Sequence, residues 1–446
     1  MTKLPLDGIR VLEMTVVWAG PYCTSFLADL GAEIIRVESL ATFAPLTRGV
    51  RAHPTKLQLE NQPLFMGGYP DRQPGSRPWN RFPIFNVHAR NKRSMTLDLS
   101  QPNSMDIFKD LVKVSDVFVE NNVVARMDDL GIDYPMLKEL REDIVMLRMP
   151  AYGTTGEYRD YRALGIHLEG VIGHTLLRGY PDMDASGNTP VYMADAAGGS
   201  HGAFAVLAAL HYRRRTGKGQ YIELGQAEDA MPMMGQFFMD YTMNHRNSST
   251  IGNRHPTAIQ GCYPCLGKDR WVCITIRDDQ EWLSFSRALG DPQWASDPKF
   301  SDSISRWENH DEIDTYISLW TQKMEDFDAM RILQASGVAA GPVMNQQDSY
   351  ENPHLIERSM FQEASQEDAG THFYPRAPYT MSLTPPNISR GPVRLGEDNE
   401  YVYKSVLGYS DSYYKELETQ GHISMDYPDY MAVSYTHLTL PTTSRV

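Results

Sequence analysis

Asp195 lies in the run YMADAAGGSHG, directly ahead of AFAVLAALHYRRR, the clearest helical pattern in the chain. An aspartate at that point reads first as a helix N-cap, its carboxylate accepting the first free backbone N–H groups. The same placement serves chemistry. The positive end of a helix keeps a carboxylate ionised and held at a fixed angle, and covalent catalysis by an aspartate needs the ionised form. Gly198 and Gly199 follow at once and permit close approach by a bulky substrate.

Two other patterns carry less chemistry. Cys262-Tyr263-Pro264-Cys265 has CxxC spacing, but zinc needs two more ligands at a matching distance. His255 is the one near neighbour, and Cys273 lies in an apparent strand. A redox CxxC opens a helix, whereas this one precedes a Gly-Lys-Asp turn and a strand. The cysteines therefore read as structural, and no metal is expected. The first βα turn, Trp18-Ala19-Gly20-Pro21, has one glycine and no GxGxxG. It lacks the backbone access that the pyrophosphate of NAD or FAD requires.

The elements that position these residues are readable from period and punctuation. Ile9–Met14 alternates as a strand. A helix runs through Tyr22–Leu30 to Gly31, and Glu33–Val37 is a second strand, which makes a βαβ unit. Residues 40–90, rich in Pro and Arg, read as a long loop. Further elements are a strand at Ser94–Leu99, a helix over 103–114 and a strand at Val117–Glu120. Another strand follows at Leu147–Met149, then the helix after Asp195, ending in three Arg, and a strand at Gln220–Leu224. The expected fold is α/β, with a Rossmann-like, doubly wound parallel sheet in a large domain. From about 226 a Met-rich helix and mixed segments give a smaller α+β domain. The boundaries read as 1–226 for the large domain, 227–345 for linker helix and small domain, and 346–433 for a linker and a C-terminal return to the large domain. Residues 434–446, within the Thr-rich SYTHLTLPTTSRV, read as a non-native tail.

Bulk properties narrow the function. The 446 residues are 41% hydrophobic, enough for a sizeable core, and the formal charge of -14 argues against nucleic acid or an anionic membrane as partner. Four cysteines fit a reducing compartment. The segment MTKLPLDGIRVLEM has no secretory h-region, and the apolar run Ala203–Leu210 is too short to span a bilayer. A cytoplasmic location is expected.

An ordered set of segments resembles the family III CoA-transferases, the CaiB/BaiF group. They are LDGIRVLEMTVVWAGP, ADLGAEIIRVE, NKRSMTLDL, DVFVEN, MADAAGGSHG, LAALHYRRRTGKGQ and SGVAAGPV, spread over about residues 5–410. The resemblance implies CoA transfer between an acyl-CoA and a small carboxylic acid, with coenzyme A as part of the substrate and no metal. It also implies a homodimer of two chains interlinked like rings. The family nucleophile falls on Asp195, acting through an aspartyl anhydride and an aspartyl-CoA thioester.

By the same resemblance Val17, Trp18 and Ala19 occupy the turn beside the thiol and pantetheine arm. Leu97, Asp98, Leu99 and Ser100 match segments lining the CoA site, as do Asn121, Asn122 and Val123, and Arg162 matches a basic position facing it. Ser39 and Asp129 stand where relatives often carry Arg near the CoA phosphates. The cations expected in their place are Lys92 and Arg93, or Arg72, Arg77 and Arg81 of the long segment. A Gly-rich loop typical of oxalate-type members is missing where this chain reads TIGNRHPTAIQGCYP, so formyl or oxalate specificity is not expected. Arg254 is a candidate for a substrate carboxylate, and Gln260 and Gly261 for the acyl group. The family also contains α-methylacyl-CoA racemases and epimerases. Their second acid/base residue would fall near Leu164-Gly165, which cannot move protons, while His167 is out of register. A non-catalytic acyl-CoA-binding subunit is the remaining alternative.

Overall fold

The computed structural model describes residues 3–60, 68–189 and 191–429; the segment read as a non-native tail, 434–446, lies outside them. The chain divides into two compact units. One comprises Met1–Ile172, Pro190–Gln236 and Ser359–Val446, the other Gly173–Thr189 and Phe237–Arg358.

The first unit is built on six strands: β1 (Arg10–Met14), β2 (Glu33–Glu38), β3 (Lys92–Thr96), β4 (Val117–Glu120), β5 (Val145–Arg148) and β6 (Gln220–Glu223). They form one sheet in the order β3-β2-β1-β4-β5-β6, and every neighbouring pair is parallel. This is the doubly wound order, which reverses between β1 and β4 and opens a crevice at the carboxyl ends of the strands. Its helices include α1 (Ala19–Asp29), α2 (Pro83–His88), α3 (Ser104–Lys113), α4 (Val124–Asp129), α5 (Gly165–Val171) and α6 (Met193–Thr216).

Alternate residues of each strand face opposite sides, and both sides are covered. Val11, Ile34, Val119 and Leu147 pack with Cys23 and Leu27 of α1 and Val206 of α6. Leu12, Ile35, Phe118 and Met146 pack with Phe108 of α3 and with Val402, Tyr403 and Leu417. β3 is the sheet edge, and the chain beyond residue 390 covers it. Asp398 accepts from Ser94 N–H at 3.1 Å, and Asn399 accepts from Thr96 N–H at 2.7 Å. Edge N–H groups that would otherwise template aggregation are thereby satisfied.

Three expectations need correction. The strand expected at Ser94–Leu99 occupies Lys92–Thr96, so Leu97–Ser100 leave the sheet as a loop at its carboxyl end. The helix expected to follow Asp195 begins at Met193, with Tyr192 in the left-handed conformation as its N-cap. The segment 40–90 is not simply a long loop: its described residues include short helices, and Trp79, Phe82 and Phe85 are buried.

The second unit carries a three-stranded antiparallel sheet, β7 (Ile259–Pro264), β8 (Trp271–Ile276) and β9 (Ala339–Pro342), in that order. Helices α7 (Asp279–Ala288), α8 (His310–Thr321) and α9 (Asp326–Ala335) pack over it around Trp282, Phe285, Phe300, Ile317 and Leu333. Among the described residues no helix is long and apolar enough to cross a membrane.

Candidate active site

The loops leaving the carboxyl ends of all six parallel strands line two neighbouring cavities of the first unit. A cavity of about 600 Å³ is walled by Val16 and Val17 after β1, Asn121–Val123 after β4, Pro150 and Ala151 after β5, and Gln226 after β6, together with Arg162, Gly165 and Asp195. A second, of about 350 Å³, is lined by Thr15 after β1, Glu38 at the end of β2 with Ser39 after it, and Leu97–Ser100 after β3. Val16, Thr42, Asn122, Arg126 and Asp129 line both, so the two continue into each other.

Asp195 is the third residue of α6 and only 8% exposed. Its carboxylate accepts a hydrogen bond from the backbone N–H of Ala19, the first residue of α1. Burial, reinforced by the negative charge of Glu169, pushes its pKa up to about 6 against that hydrogen bond. The expectation of an ionising N-cap is thus corrected. Removal from water outweighs the field of the helix end, because a half-charge dipole cannot replace the hydration of a buried carboxylate. Glu169, on α5, is fully buried and accepts from Met193 N–H at 2.8 Å, which ties α5 to the start of α6.

The glycines around Asp195 also act differently from their sequence reading. A Cβ on Gly199 would lie 2.9 Å from Ala19 O and 2.7 Å from Tyr22 Cδ1. Gly199 therefore lets α1 approach α6 and brings Ala19 N–H to Asp195, rather than making room for a substrate. The glycine that faces the carboxylate is Gly165, whose added Cβ would lie 2.2 Å from Asp195 Oδ2. His167 takes a local role in the first turn of α5, where Nδ1 accepts from Leu164 N–H at 3.1 Å.

The turn after β1 is pinned from β4. Asn121 accepts from Val16 N–H at 2.7 Å and donates to Val16 O at 3.0 Å, and Asn122 donates to Met14 O at 2.8 Å. Val17 adopts a positive φ of 60°, and its N–H donates to Thr47. Trp18, the N-cap of α1, stacks at 5.9 Å on Tyr192 and meets His88 edge-on at 4.8 Å. Burial, helped by Lys92 and Arg90, keeps His88 well below its usual pKa and hence neutral.

The structure therefore gathers Val17, Asn121, Asn122, Val123 and Arg162 around the cavity that contains Asp195, with Ala19 touching its carboxylate. Ser39, Leu97, Asp98, Leu99 and Ser100 line the adjoining one. The expected cations go elsewhere. Lys92 is 1% exposed, lies 3.0 Å from Glu13 and donates to Pro21 O and Thr24. Burial lowers its pKa to about 8 although Glu13 opposes this. It belongs to a buried chain of charges in which Arg36 joins Glu13 to Glu38, and Arg48 pairs with Glu38 at 2.6 Å. Arg93 pairs with Glu33 and Asp398 and lies over Tyr401. Arg77 pairs with Asp426, and Arg81 donates to the carbonyls of Gln73, Pro70 and Asp368. None of Lys92, Arg93, Arg72, Arg77 and Arg81 lines either cavity.

Sequence reasoning passed over Arg36 and Arg48, which line the smaller cavity, and Arg159, which lines the larger, all three ion-paired; it also passed over Arg126, on α4. Arg126 lines both cavities and, like Arg162, is exposed and has no ion pair among the described residues. One signal was available: it lies one helical turn from Asp129, the position already singled out as lacking the expected Arg. In the second unit, Arg254 is paired with both Asp311 and Asp314. Its charge is met within that unit, which weighs against its binding a substrate carboxylate. Gln260 donates to Asn253 O and accepts from Thr275, and Gly261 lies on β7. No cluster of metal-ligating side chains is found among the described residues.

Comparison with known proteins adds independent findings. A sequence model of CoA-transferase family III matches residues 6–399. The chain is 28% identical over 408 residues to a succinyl-CoA–D-citramalate CoA-transferase of Chloroflexus aurantiacus, covering 91% of this chain and 95% of that one. It is 25% identical to a succinate–glutarate CoA-transferase of Agrobacterium fabrum, covering 90% and 95%. A crystal structure of a CaiB/BaiF family protein from Brucella suis superposes with a TM-score of 0.77 at 24% identity, covering 91% of this chain and all of that one.

Proposed function

The chain belongs to CoA-transferase family III, and from that premise we propose that it moves coenzyme A from an acyl-CoA to a free carboxylate, with Asp195 as the nucleophile. The observation that carries this reading is the buried carboxylate of Asp195, raised to about 6, in the wall of a cavity formed by the strand termini. At pH 7 such a group is ionised by about ten to one, yet more basic than a solvated aspartate.

The covalent steps balance without ATP or metal. Asp195 attacks the thioester carbonyl, the C–S bond breaks, and CoA thiolate leaves an acyl-aspartyl anhydride. The thiolate then attacks the aspartyl carbonyl, forming aspartyl-CoA and releasing the first acid. The acceptor carboxylate attacks that thioester and gives a second anhydride. CoA thiolate attacks the new acyl carbonyl and regenerates Asp195. The Ala19 N–H faces the oxygen on which charge develops when the aspartyl carbonyl is attacked.

The groove supports CoA with its thiol end near Trp18 and Asp195 and its nucleotide end toward Ser39 and Asp98, where Arg126 supplies charge for phosphate. The second unit then serves as the small domain, and two chains close into interlinked rings. Four unbridged cysteines support a reducing, cytoplasmic setting. Succinyl-CoA is the first donor to test, because two relatives at 28% identity are CoA-transferases named for succinyl-CoA.

The deciding experiment is CoA exchange over panels of acyl-CoAs and acids, with Asp195→Ala as control. Hydroxylamine added during turnover should convert Asp195 to a hydroxamate visible by peptide mass. Exchange that survives in Asp195→Ala would overturn the assignment.

A further inference from the structure

The outward face of the second unit's sheet places two thiols side by side. Cys262 on β7 is directly opposite Cys273 on β8. Three positions along, Cys265 N–H donates to Arg270 O at 2.8 Å, which makes Cys265–Arg270 a hydrogen-bonded pair. Pair types alternate along an antiparallel ladder, so Pro264–Trp271 is non-bonded, Tyr263–Val272 bonded, and Cys262–Cys273 non-bonded. Non-bonded partners have Cα atoms about 4.5 Å apart with side chains converging, within the roughly 4.4–6.8 Å that a disulfide spans.

Access is open as well. Cys273 is exposed. Its neighbour on β9 is Gly341, and a Cβ there would meet nothing within 4 Å, so no side chain shields that flank. Cys23 and Cys265 are buried, and Cys265 is part of the apolar core beneath the sheet.

From this register and exposure we infer that Cys262 and Cys273 form a reversible thiol–disulfide site, a modification separate from CoA chemistry. Cys273 is the thiol that meets the oxidant, hydrogen peroxide. Its sulfur takes one peroxide oxygen as the O–O bond breaks, giving a sulfenic acid and water. Cys262 then attacks the Cys273 sulfur, the S–S bond forms, the S–O bond breaks, and the departing hydroxide leaves as water with the Cys262 proton. One peroxide is reduced for each pair oxidised, and a small dithiol restores both thiols. Burial, then the neighbouring Cys273 thiol, pushes the Cys262 thiol up to about 12. Conversion of Cys273 to its sulfenic acid removes the second of these influences and makes Cys262 the resolving partner.

The test uses the purified full-length protein in its native assembly. It is treated with a few equivalents of hydrogen peroxide, alkylated under denaturing conditions and digested without reductant. The expected product is one crosslinked peptide pair, Cys262 to Cys273, lighter by two hydrogen atoms and lost after dithiothreitol, with Cys23 and Cys265 alkylated. Cys262→Ser should instead carry the oxidised sulfur on Cys273 alone, and Cys273→Ser should leave Cys262 reduced. Full alkylation of both thiols in the wild-type protein, or irreversible over-oxidation of Cys273 with no crosslink, would overturn the proposal. Neither outcome bears on Asp195, whose exchange activity is read separately.

Discussion

A Cβ placed on Gly165 would lie 2.2 Å from Asp195 Oδ2, so the first residue of α5 has to be glycine for the carboxylate to keep its position. That contact lies near the point, Leu164-Gly165, where a racemase of this family would carry its second acid/base group. Neither residue can move protons, which supports transfer over racemisation. Gly165→Ala should displace the Asp195 side chain by an ångström or more and lower kcat about 100-fold. Steady-state exchange kinetics beside a far-ultraviolet circular dichroism spectrum would check this, and a variant with unchanged kcat would contradict it.

The raised pKa of Asp195 has two opposite consequences with pH. Activity needs the ionised form, so kcat/KM should fall below about pH 6, where an ordinary aspartate would still be charged. Stability runs the other way. The native carboxyl binds its proton more tightly than the unfolded one, so its favourable contribution is full below the unfolded value of 3.8 and is lost as pH rises through about 6. The difference corresponds to about 3 kcal/mol at neutral pH. Asp195→Asn should therefore melt higher than the wild type at pH 7.5, with the gap narrowing as pH falls toward 5. Thermal unfolding across that range would test it.

Glu169 contributes to the same pKa after burial itself. Glu169→Gln keeps an oxygen for Met193 N–H and removes the charge. The acid limb of the kcat/KM profile should shift to lower pH, with the fold retained. A limb that stays in place would show that burial alone sets the value.

Arg126 stands between the two cavities without an ion pair among the described residues. If it meets CoA phosphate, Arg126→Ala should raise KM for the acyl-CoA about 10-fold, leave kcat near its original value, and weaken the dependence of KM on salt. Initial rates at two ionic strengths would separate this from a structural effect, which would lower kcat as well.

The proposed interlinked dimer should not dissociate on dilution, because separating two closed rings requires unfolding one of them. Sedimentation at nanomolar concentration should show dimer alone. A stable folded monomer would contradict the interlinking while leaving the assignment of Asp195 intact.

Local patterns determined much of this protein. The strand at Ile9–Met14, the helix through Tyr22–Leu30 and the four strand residues Val117–Glu120 were legible because hydrophobic period and turn residues act over short stretches of chain. They were enough to indicate a parallel α/β sheet and to place Asp195 at a helix start, while its role as nucleophile came from the ordered family segments. The tertiary structure decided what surrounds it. Ala19 N–H reaches Asp195 from 176 residues away in sequence, through a helix approach that Gly199 permits. Gly165 and Glu169 arrive on a separate helix. The fate of each cation was likewise a matter of packing: Lys92 is drawn into a buried charge chain with Glu13, away from both cavities, while Arg126 lines both of them. A charge in a sequence is only a candidate, because burial and partners set its role, and both depend on residues that folding brings together from far apart in the chain.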